Sequence, residues 1–226
     1  MKVGLLSYRS HPYSGGQGIY IKHLSKALKN LGHEVSVLSG PPYPELDSRV
    51  NLIKIPSLGL FESGERLKAF RLRFLWSPID LYEWITVMTG GFPEPYTYGK
   101  RVLKRLKENN LKLDVLLDNQ SLSSSLLEIQ AHYPLAVTIH HPITKDHKLE
   151  MQNAINWKER LSSSRWHNFL PMQKKVAPQL KNIICVSQPS KEDVISEFKV
   201  DEKKITVIPN GIDIGIFKPS SIKKSL

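Results

Sequence analysis

Three glycines stand between an apolar segment and an amphipathic segment near the N-terminus, in the run SGGQGIYIKHL. Gly15, Gly16 and Gly18, with Gln17 among them, would let the backbone approach a bound group, because glycine has no Cβ. A helix that begins there also offers unpaired N–H groups and the positive end of its dipole, which suit a phosphate or a sugar oxygen. A tight turn between a strand and a helix explains the same glycines without a ligand, so both interpretations stay open.

Two common phosphate-binding loops do not match this glycine run. The dinucleotide fingerprint requires a third glycine where Ile21 stands, and no acidic residue closes the next apolar run, EVSVLS. The P-loop is excluded because Gly-Lys-Ser/Thr is missing. The run is therefore interpreted as a phosphate- or sugar-binding loop of another kind.

The densest polar segment is TIHHPITKDHKLE, residues 138–150. Its three histidines and two carboxylates suggest a metal, but His140 and His141 are adjacent on a predicted strand and would point to opposite faces. The spacing of zinc sites is also missing, so no metal is expected. A histidine at a strand end, with Lys145 and Asp146 on the following turn, can hold sugar hydroxyls and an anionic leaving group. A histidine packed within the fold is the alternative.

The elements that must position these residues alternate between strands and helices. Strands are predicted at 2–8, 34–39, 50–56 (as an edge), 113–118, 135–140, 182–187 and 205–209. Helices are predicted at 18–32, 65–89 and 98–109, and the apolar face of the first comprises Leu24, Ala27, Leu28 and Leu31. Such alternation implies right-handed crossovers. The predicted fold class is α/β: a single Rossmann-like doubly wound domain, with a mostly parallel sheet flanked by helices.

Polar residues follow two of these strands at the point where each strand ends. Asp118 ends the strand LDVLLD and is followed by Asn119 and Gln120, and His140 and His141 follow LAVTI. In doubly wound sheets, ligands bind beyond the carboxyl ends of the strands. These side chains and the glycine run are therefore expected to line one crevice.

The charge balance favours anionic partners without selecting one. The 226 residues include 32 Lys and Arg against 21 Asp and Glu, a net charge of +11. Such a field attracts nucleic acid, anionic membranes or phosphorylated small molecules. No helix-turn-helix, zinc or RNA-binding signature is present, so no nucleic acid partner is expected. The single cysteine, Cys185, lies in an apolar run typical of a buried packing thiol and suits a cytoplasmic protein.

Two basic segments suggest contact with a membrane surface. Residues 66–85 interleave basic residues with Phe70, Phe74, Trp76 and Trp84, and residues 100–112 form a second basic helix. Basic and aromatic side chains together can seat a helix on an anionic leaflet. A helix that packs on the core with a solvated basic face is the alternative. Peripheral attachment to the inner face of a membrane is thus a second expectation for localisation.

The chain resembles the N-terminal domain of family 4 (group 1) retaining glycosyltransferases in three segments: SGGQGIYIKHLSKALKNLGHEVSVLSG, AVTIHHPITKD and IICVSQPSKEDVISEFKVDEKKITVIPNGIDIGIFKP. The resemblance runs from Val3 to Pro219, and the Pro-Asn-Gly-Ile-Asp run is its most specific part. The family has the GT-B architecture, in which two Rossmann-like domains face one another across a cleft. The resemblance therefore implies the N-terminal half of that architecture.

The resemblance also implies roles for individual residues. His140 would contact the transferred sugar near the reacting centre and is the expected catalytic residue. The loop of Gly15, Gly16, Gln17 and Gly18 would face the donor diphosphate and sugar. The acceptor side would be lined by Tyr20, Asp118, Asn119, Gln120, His141, Lys145 and Asp146. Asn210 and Gly211 would shape the loop that enters the interdomain linker.

The implied reaction moves a hexose from a nucleotide sugar, such as UDP- or GDP-hexose, to a glycan or lipid acceptor, as in the synthesis of cell envelope polysaccharides. The anomeric configuration would be kept. No dedicated metal cofactor is implied, because cationic side chains and helix dipoles offset the charge of the leaving diphosphate.

The end of the sequence departs from the family. It stops at FKPSSIKKSL, just past the expected linker. Residues 1–215 are predicted to form the acceptor-side domain and 216–226 a linker stub, with the nucleotide-sugar-binding domain absent. The chain is then expected to transfer little sugar unless a separate C-terminal domain joins it. The alternative is a non-catalytic module that binds an acceptor, a polyanion or a membrane.

Overall fold

Seven parallel strands form the centre of the fold. The computed structural model describes residues 1–13, 16–61, 70–109 and 111–214. The strands are β1 (Lys2–Ser7), β2 (Glu34–Ser39), β3 (Asn51–Lys54), β4 (Val115–Asn119), β5 (Leu135–Ile139), β6 (Ile183–Cys185) and β7 (Ile205–Val207). They pair in the order β3-β2-β1-β4-β5-β6-β7, and every pairing is parallel. The predicted doubly wound α/β class is confirmed, with β3 at an edge as expected.

Eight α-helices lie between the strands in the described ranges. They are α1 (Gly16–Asn30), α2 (Pro78–Met88), α3 (Glu94–Asn109), α4 (Leu126–His132), α5 (Thr144–Asn153), α6 (Trp157–Trp166), α7 (Leu170–Val176) and α8 (Gln188–Phe198). Short 3-10 helices occur at Leu72–Trp76, Ala177–Gln179 and Glu202–Lys204.

The long helix predicted over residues 65–89 is confirmed only in its C-terminal part, Pro78–Met88, and is wrong in the described residues before it. Residues 72–76 form a 3-10 helix, and α2 begins only at Pro78. Ser77 is extended, as expected before a proline, and its hydroxyl accepts a hydrogen bond from the backbone N–H of Asp80, which caps α2. Proline suits the first helical position because an N–H there has no partner within the helix. Residues 62–69, with Arg66 and Lys68 of the basic segment, lie outside the described residues.

The buried face of α1 also differs from the prediction. Ile21 and Ser25 are fully buried, whereas Leu24 and Leu28 are only partly buried against the core. Leu31 is 73% exposed because α1 ends at Asn30. Ala27 is exposed as well. The spacing of apolar residues identified the helix but placed its core-facing stripe too close to the C-terminal end.

The sheet is covered by apolar side chains on both faces, which explains its nearly continuous hydrophobic strands. Neighbouring residues of β1 serve opposite faces: Leu5 packs with Ile21 of α1, and Leu6 belongs to the larger cluster. Cys185 is fully buried in that larger cluster, as predicted for a packing thiol. Burial raises the pKa of its thiol.

The strand order reverses beside β1. The chain proceeds from β1 to β2 and β3 on one side, and from β4 to β7 on the other. The connections that leave β1 and β4 therefore diverge, and this leaves a crevice at the carboxyl edge of the sheet. The glycine run follows β1, and Asn119 ends β4. The fold thus brings the two predicted regions to the position where doubly wound domains bind ligands.

Candidate active site

His140 lies directly after β5, at the carboxyl edge of the sheet. Its Nε2 is 2.8 Å from Oδ1 of Asn119, the last residue of neighbouring β4. An amide oxygen can only accept, so Nε2 donates, and Nδ1 of the neutral ring carries the lone pair. Burial lowers the pKa of His140, and nearby His141 lowers it further. The ring is therefore neutral near pH 7.

Hydrogen bonds also hold the backbone around His140. The Gln120 side chain accepts from the N–H of His140 through Oε1 at 2.7 Å and donates to the carbonyl of His141 through Nε2 at 2.8 Å. The hydroxyl of Ser190, in the first turn of α8, donates to the carbonyl of His140 at 2.7 Å. With the ring contact to Asn119, four hydrogen bonds thus fix the loop that carries the histidine.

Helix α1 reaches the same histidine from the other side of the strand-order reversal. The Tyr20 ring meets the His140 ring edge to face, with centroids 4.8 Å apart and planes at 86°. The Tyr20 hydroxyl lies 3.5 Å from Oγ1 of Thr138 in β5. Side chains from α1, β4 and the loop after β5 therefore meet at one point. The roles of these residues toward a ligand remain predictions.

The two described glycines of the N-terminal run differ in their surroundings. A Cβ added at Gly18 would lie 2.1 Å from the backbone oxygen of His11, so this glycine lets α1 pack against its own preceding loop. A Cβ at Gly16 would meet nothing within 4 Å. Gln17 donates to the hydroxyl of Tyr8 at 3.2 Å. Gly15 lies outside the described residues. Gly18 therefore has a structural explanation, whereas open space at Gly16 leaves room for a ligand.

The structure corrects the prediction that Asp118 lines the acceptor side. Asp118 is fully buried, and its carboxylate accepts hydrogen bonds from the N–H and hydroxyl of Ser121 at 2.8 and 2.6 Å. A longer contact of 3.4 Å joins it to the N–H of Leu122. Burial raises the pKa of Asp118 to about 6, and these hydrogen bonds oppose the rise. Its oxygens are used within the turn after β4 and are not presented to a ligand. Asn119 and Gln120, also predicted to line the acceptor side, are buried as well, and their side chains bond His140 and the carbonyl of His141.

The remaining predicted residues lie on exposed surface. His141 and Asp146 are both exposed, with Nε2 and Oδ2 3.2 Å apart. Lys145 is half exposed and pairs with Asp193 of α8. Asn210 and Gly211 are exposed in the segment after β7. That segment returns to α1, because a carboxylate oxygen of Asp213 lies 3.6 Å from Nζ of Lys26.

Two residues of this network were missed by the sequence reasoning. Thr138 approaches Tyr20, and Ser190 holds the backbone of His140. The run Ser187-Gln-Pro-Ser190 could have signalled Ser190, because a capping serine and a proline mark a helix start directly after a strand. Within the described ranges, no group of three or more His, Cys, Asp or Glu residues could hold a metal ion.

Comparison with known proteins identifies the family. Residues 14–215 match the family model Glycosyltransferase Family 4. The chain belongs to glycosyltransferase family 4. The family 4 chain is 43% identical over 221 residues to MMP alpha-(1->4)-mannosyltransferase of Mycolicibacterium hassiacum, covering 97% of this chain and 54% of that protein. It is 26% identical over 229 residues to a phosphatidylinositol N-acetylglucosaminyltransferase protein of Arabidopsis thaliana, covering 100% of this chain and 43% of the relative.

Solved glycosyltransferases share the fold of this family 4 chain. WaaG, a glycosyltransferase involved in lipopolysaccharide biosynthesis, aligns with a TM-score of 0.57 at 14% identity, over 93% of this chain and 45% of its own. Anabaena Alr3699/HepE in complex with UDP aligns with a TM-score of 0.53 at 15% identity, over 98% and 47%. The expected GT-B N-terminal fold is thereby confirmed, in agreement with the family match over residues 14–215. The chain spans about half the length of the curated relatives it matches.

Among the described residues of the family 4 chain, no helix combines the length and the apolar character needed to cross a bilayer.

Proposed function

We propose that this chain is the acceptor-side domain of a hexosyltransferase that moves a hexose from UDP- or GDP-hexose to a glycan or lipid acceptor with retention of configuration. The observation that carries the proposal is the contact among Tyr20, Asn119 and His140 at the strand-order reversal. The relatives named as a mannosyltransferase and an N-acetylglucosaminyltransferase support the class of sugar substrate.

The site offers complementary groups for such a transfer. Neutral His140 can accept a hydrogen bond from a sugar hydroxyl through Nδ1 and so orient the hexose. The backbone N–H at the amino end of α1, beside open space at Gly16, suits a phosphate oxygen. Lys145 adds a positive charge in the first turn of α5, and its exposed pairing with Asp193 costs little to exchange for a ligand. We propose that these groups offset the diphosphate charge without a dedicated metal.

Transfer is proposed to require a second half that binds the nucleotide sugar. Residues 1–215 would form the acceptor-side domain, with the exposed loop at Asn210 and Gly211 leading into the linker. Residues 216–226, predicted from the sequence to be that linker, lie outside the described residues. The coverage of only 54% of the mannosyltransferase relative supports this division. The assembled enzyme would work in the cytoplasm, where nucleotide sugars would be its donors, in the synthesis of envelope polysaccharide.

Radiolabelled transfer from a panel of UDP- and GDP-hexoses tests the proposal. The chain is assayed alone and mixed with the C-terminal half of the Mycolicibacterium hassiacum relative. We expect turnover only in the mixture and a loss of about 100-fold for His140→Ala, because an oriented polar contact at a reacting centre contributes that much. His132→Ala is the matched control, since His132 is exposed at the end of α4. Robust turnover by the chain alone, or equal effects of the two variants, would contradict the proposal.

A second candidate function is docking on an anionic membrane. The 3-10 helix Leu72–Trp76 has three exposed apolar side chains: Trp76 is 90% exposed, Leu72 75% and Leu75 58%. Arg71 and Arg73 beside them are exposed as well. Aromatic and aliphatic side chains beside basic residues suit the interface of an anionic leaflet. Such docking would bring the site to a lipid acceptor on the inner face of the membrane.

Liposome sedimentation separates this candidate from a solvated basic surface. Wild type should bind vesicles that contain anionic lipid more strongly than neutral vesicles. Leu72→Ser should weaken that binding, whereas Leu31→Ser is the control, because Leu31 is equally exposed, by 73%. Equal binding to both vesicle types would exclude the candidate.

A further inference from the structure

Two consecutive residues, Asn119 and Gln120, both hydrogen-bond His140, which the alternation of side chains along a strand does not ordinarily allow. Neighbouring side chains on a strand point to opposite faces. Asn119 ends β4, however, and Gln120 adopts a φ of +56°, in the left-handed region that non-glycine residues rarely occupy. This turn lets Asn119 bond the His140 ring while Gln120 bonds the His140 backbone. An unusual backbone conformation is thus kept at the point where both contacts are made.

We propose that Asn119 is a positioning residue for His140, fixing its Nε2–H tautomer so that Nδ1 is the nitrogen left to meet the sugar. The inference rests on the proposed function of His140. Gln120 assists by holding the backbone, and the perpendicular Tyr20 ring, 4.8 Å away between centroids, limits rotation of the imidazole. The lone pair that the substrate meets is therefore selected before substrate arrives.

The unused end of Asn119 supports a functional role over a purely structural one. Asn119 is 1% exposed, and its Nδ2 has no hydrogen-bond partner among the described residues. Buried amide donors are almost always paired, so an unpaired one requires an explanation. An apolar residue would fill the same space without an orphaned donor. The amide is explained if its oxygen is needed at Nε2 of His140.

NMR spectroscopy of the chain labelled with ¹⁵N-histidine tests the inference without any transfer reaction. In wild type, His140 should show the chemical shifts of the Nε2–H tautomer. Asn119→Ala should give a mixture of tautomers, since nothing then discriminates between the ring nitrogens. Asn119→Asp should keep the Nε2–H tautomer but raise the pKa of His140 by about one unit or more, because a carboxylate stabilises the imidazolium. The variants change only position 119. The other titratable side chains of the converging elements are therefore the same in every protein compared: Tyr20, Asp118 and His141.

Two controls keep the outcome readable. Asn182→Ala removes an amide at the start of β6, at the opposite edge of the sheet, and should leave the His140 signals as they are. Asn119→Ser provides a second variant should Asn119→Ala fold poorly, and its short hydroxyl should also lose the tautomer preference. Unchanged tautomer and pKa in folded Asn119→Ala or Asn119→Ser would overturn the inference.

Kinetics of the assembled transferase distinguish this inference from the proposed function. Asn119→Asp should move the acidic limb of the kcat/KM profile to higher pH, because that limb reports the pKa of the free enzyme's essential group. If His140→Ala leaves transfer intact, the proposed function of His140 is wrong. A tautomer change in Asn119→Ala would still show that Asn119 positions the His140 ring. If the tautomer of His140 is unchanged in Asn119→Ala, the positioning role is wrong, whatever the rate of transfer.

Discussion

The rings of Tyr20 and His140 meet edge to face at 4.8 Å, across the point where the strand order reverses. Tyr20 lies in the second turn of α1, four residues beyond Gly16, and His140 follows β5. The contact joins the proposed phosphate seat at the start of α1 to the histidine proposed to meet the sugar. A shift of α1 would therefore change the position of the imidazole through this contact.

Tyr20→Phe and Tyr20→Ala separate the ring contact from the hydroxyl. Phenylalanine keeps the edge-to-face pair and loses only the hydroxyl 3.5 Å from Thr138. Such ring pairs are worth about 0.5–1.5 kcal/mol, so Tyr20→Ala should lower kcat of the assembled transferase by up to about tenfold. Tyr20→Phe should stay close to wild type. Equal rates for the two variants would show that the ring contact does not position His140.

Gly16 and Gly18 should respond in opposite ways to alanine. Gly18→Ala forces a methyl group against the backbone oxygen of His11 at 2.1 Å, and should lower the free energy of unfolding by roughly 1–3 kcal/mol. Gly16→Ala meets no atom within 4 Å and should leave stability unchanged or raise it by up to about 1 kcal/mol, because alanine favours helix. Urea unfolding measures both. Comparable losses in the two variants would contradict this account of the loop.

Asp118 should make the stability of the fold depend on pH. Its pKa is raised from 3.8 to about 6, so the native state binds more protons than the unfolded state between these values. The stabilisation is complete below about pH 3.8 and is lost as the pH rises through 6. From pH 4 to pH 7, wild type should lose about 2 kcal/mol relative to Asp118→Asn. Urea unfolding of both proteins at each pH provides the measurement, and a constant difference would refute the prediction.

Arg101 ties α2 to α3 through a largely buried ion pair. It bonds Glu83, whose side chain is 3% exposed, and also Asp80. Arg101→Ala leaves the Glu83 carboxylate buried without its counter-ion, so the free energy of unfolding should fall by about 3–5 kcal/mol. Lys104→Ala on the same helix removes only an exposed pair and should change it by less than about 0.5 kcal/mol. Thermal or urea unfolding that finds similar effects would contradict the assignment.

Much of the site could be predicted from sequence because strand ends in a parallel sheet share one edge. The polar residues Asn119 and His140 follow apolar runs, and that pattern alone places them together. The pattern does not show whether a polar side chain faces a ligand or its own turn, so it does not reveal that Asp118 is buried. Nor does it reveal the left-handed conformation of Gln120, which depends on the surrounding contacts.

The prediction of one continuous helix over residues 65–89 is wrong before Pro78 for a related reason. Interleaved basic and apolar residues mimic an amphipathic helix, but Ser77 and Pro78 start a new helix within that stretch. The sequence contained this signal, since the residue before a proline is disfavoured in helical conformation. The spacing of apolar residues alone does not reveal where one helix ends and the next begins.

The hydrogen bonds that orient His140 all come from inside the domain, whereas His141, Lys145 and Asp146 lie in solvent around it. Substitutions in this outer ring can accumulate without turning the imidazole. Relatives could thus exchange one acceptor for another while inheriting the same reacting centre, and an engineer who wishes to redirect specificity would begin with the solvent-facing trio.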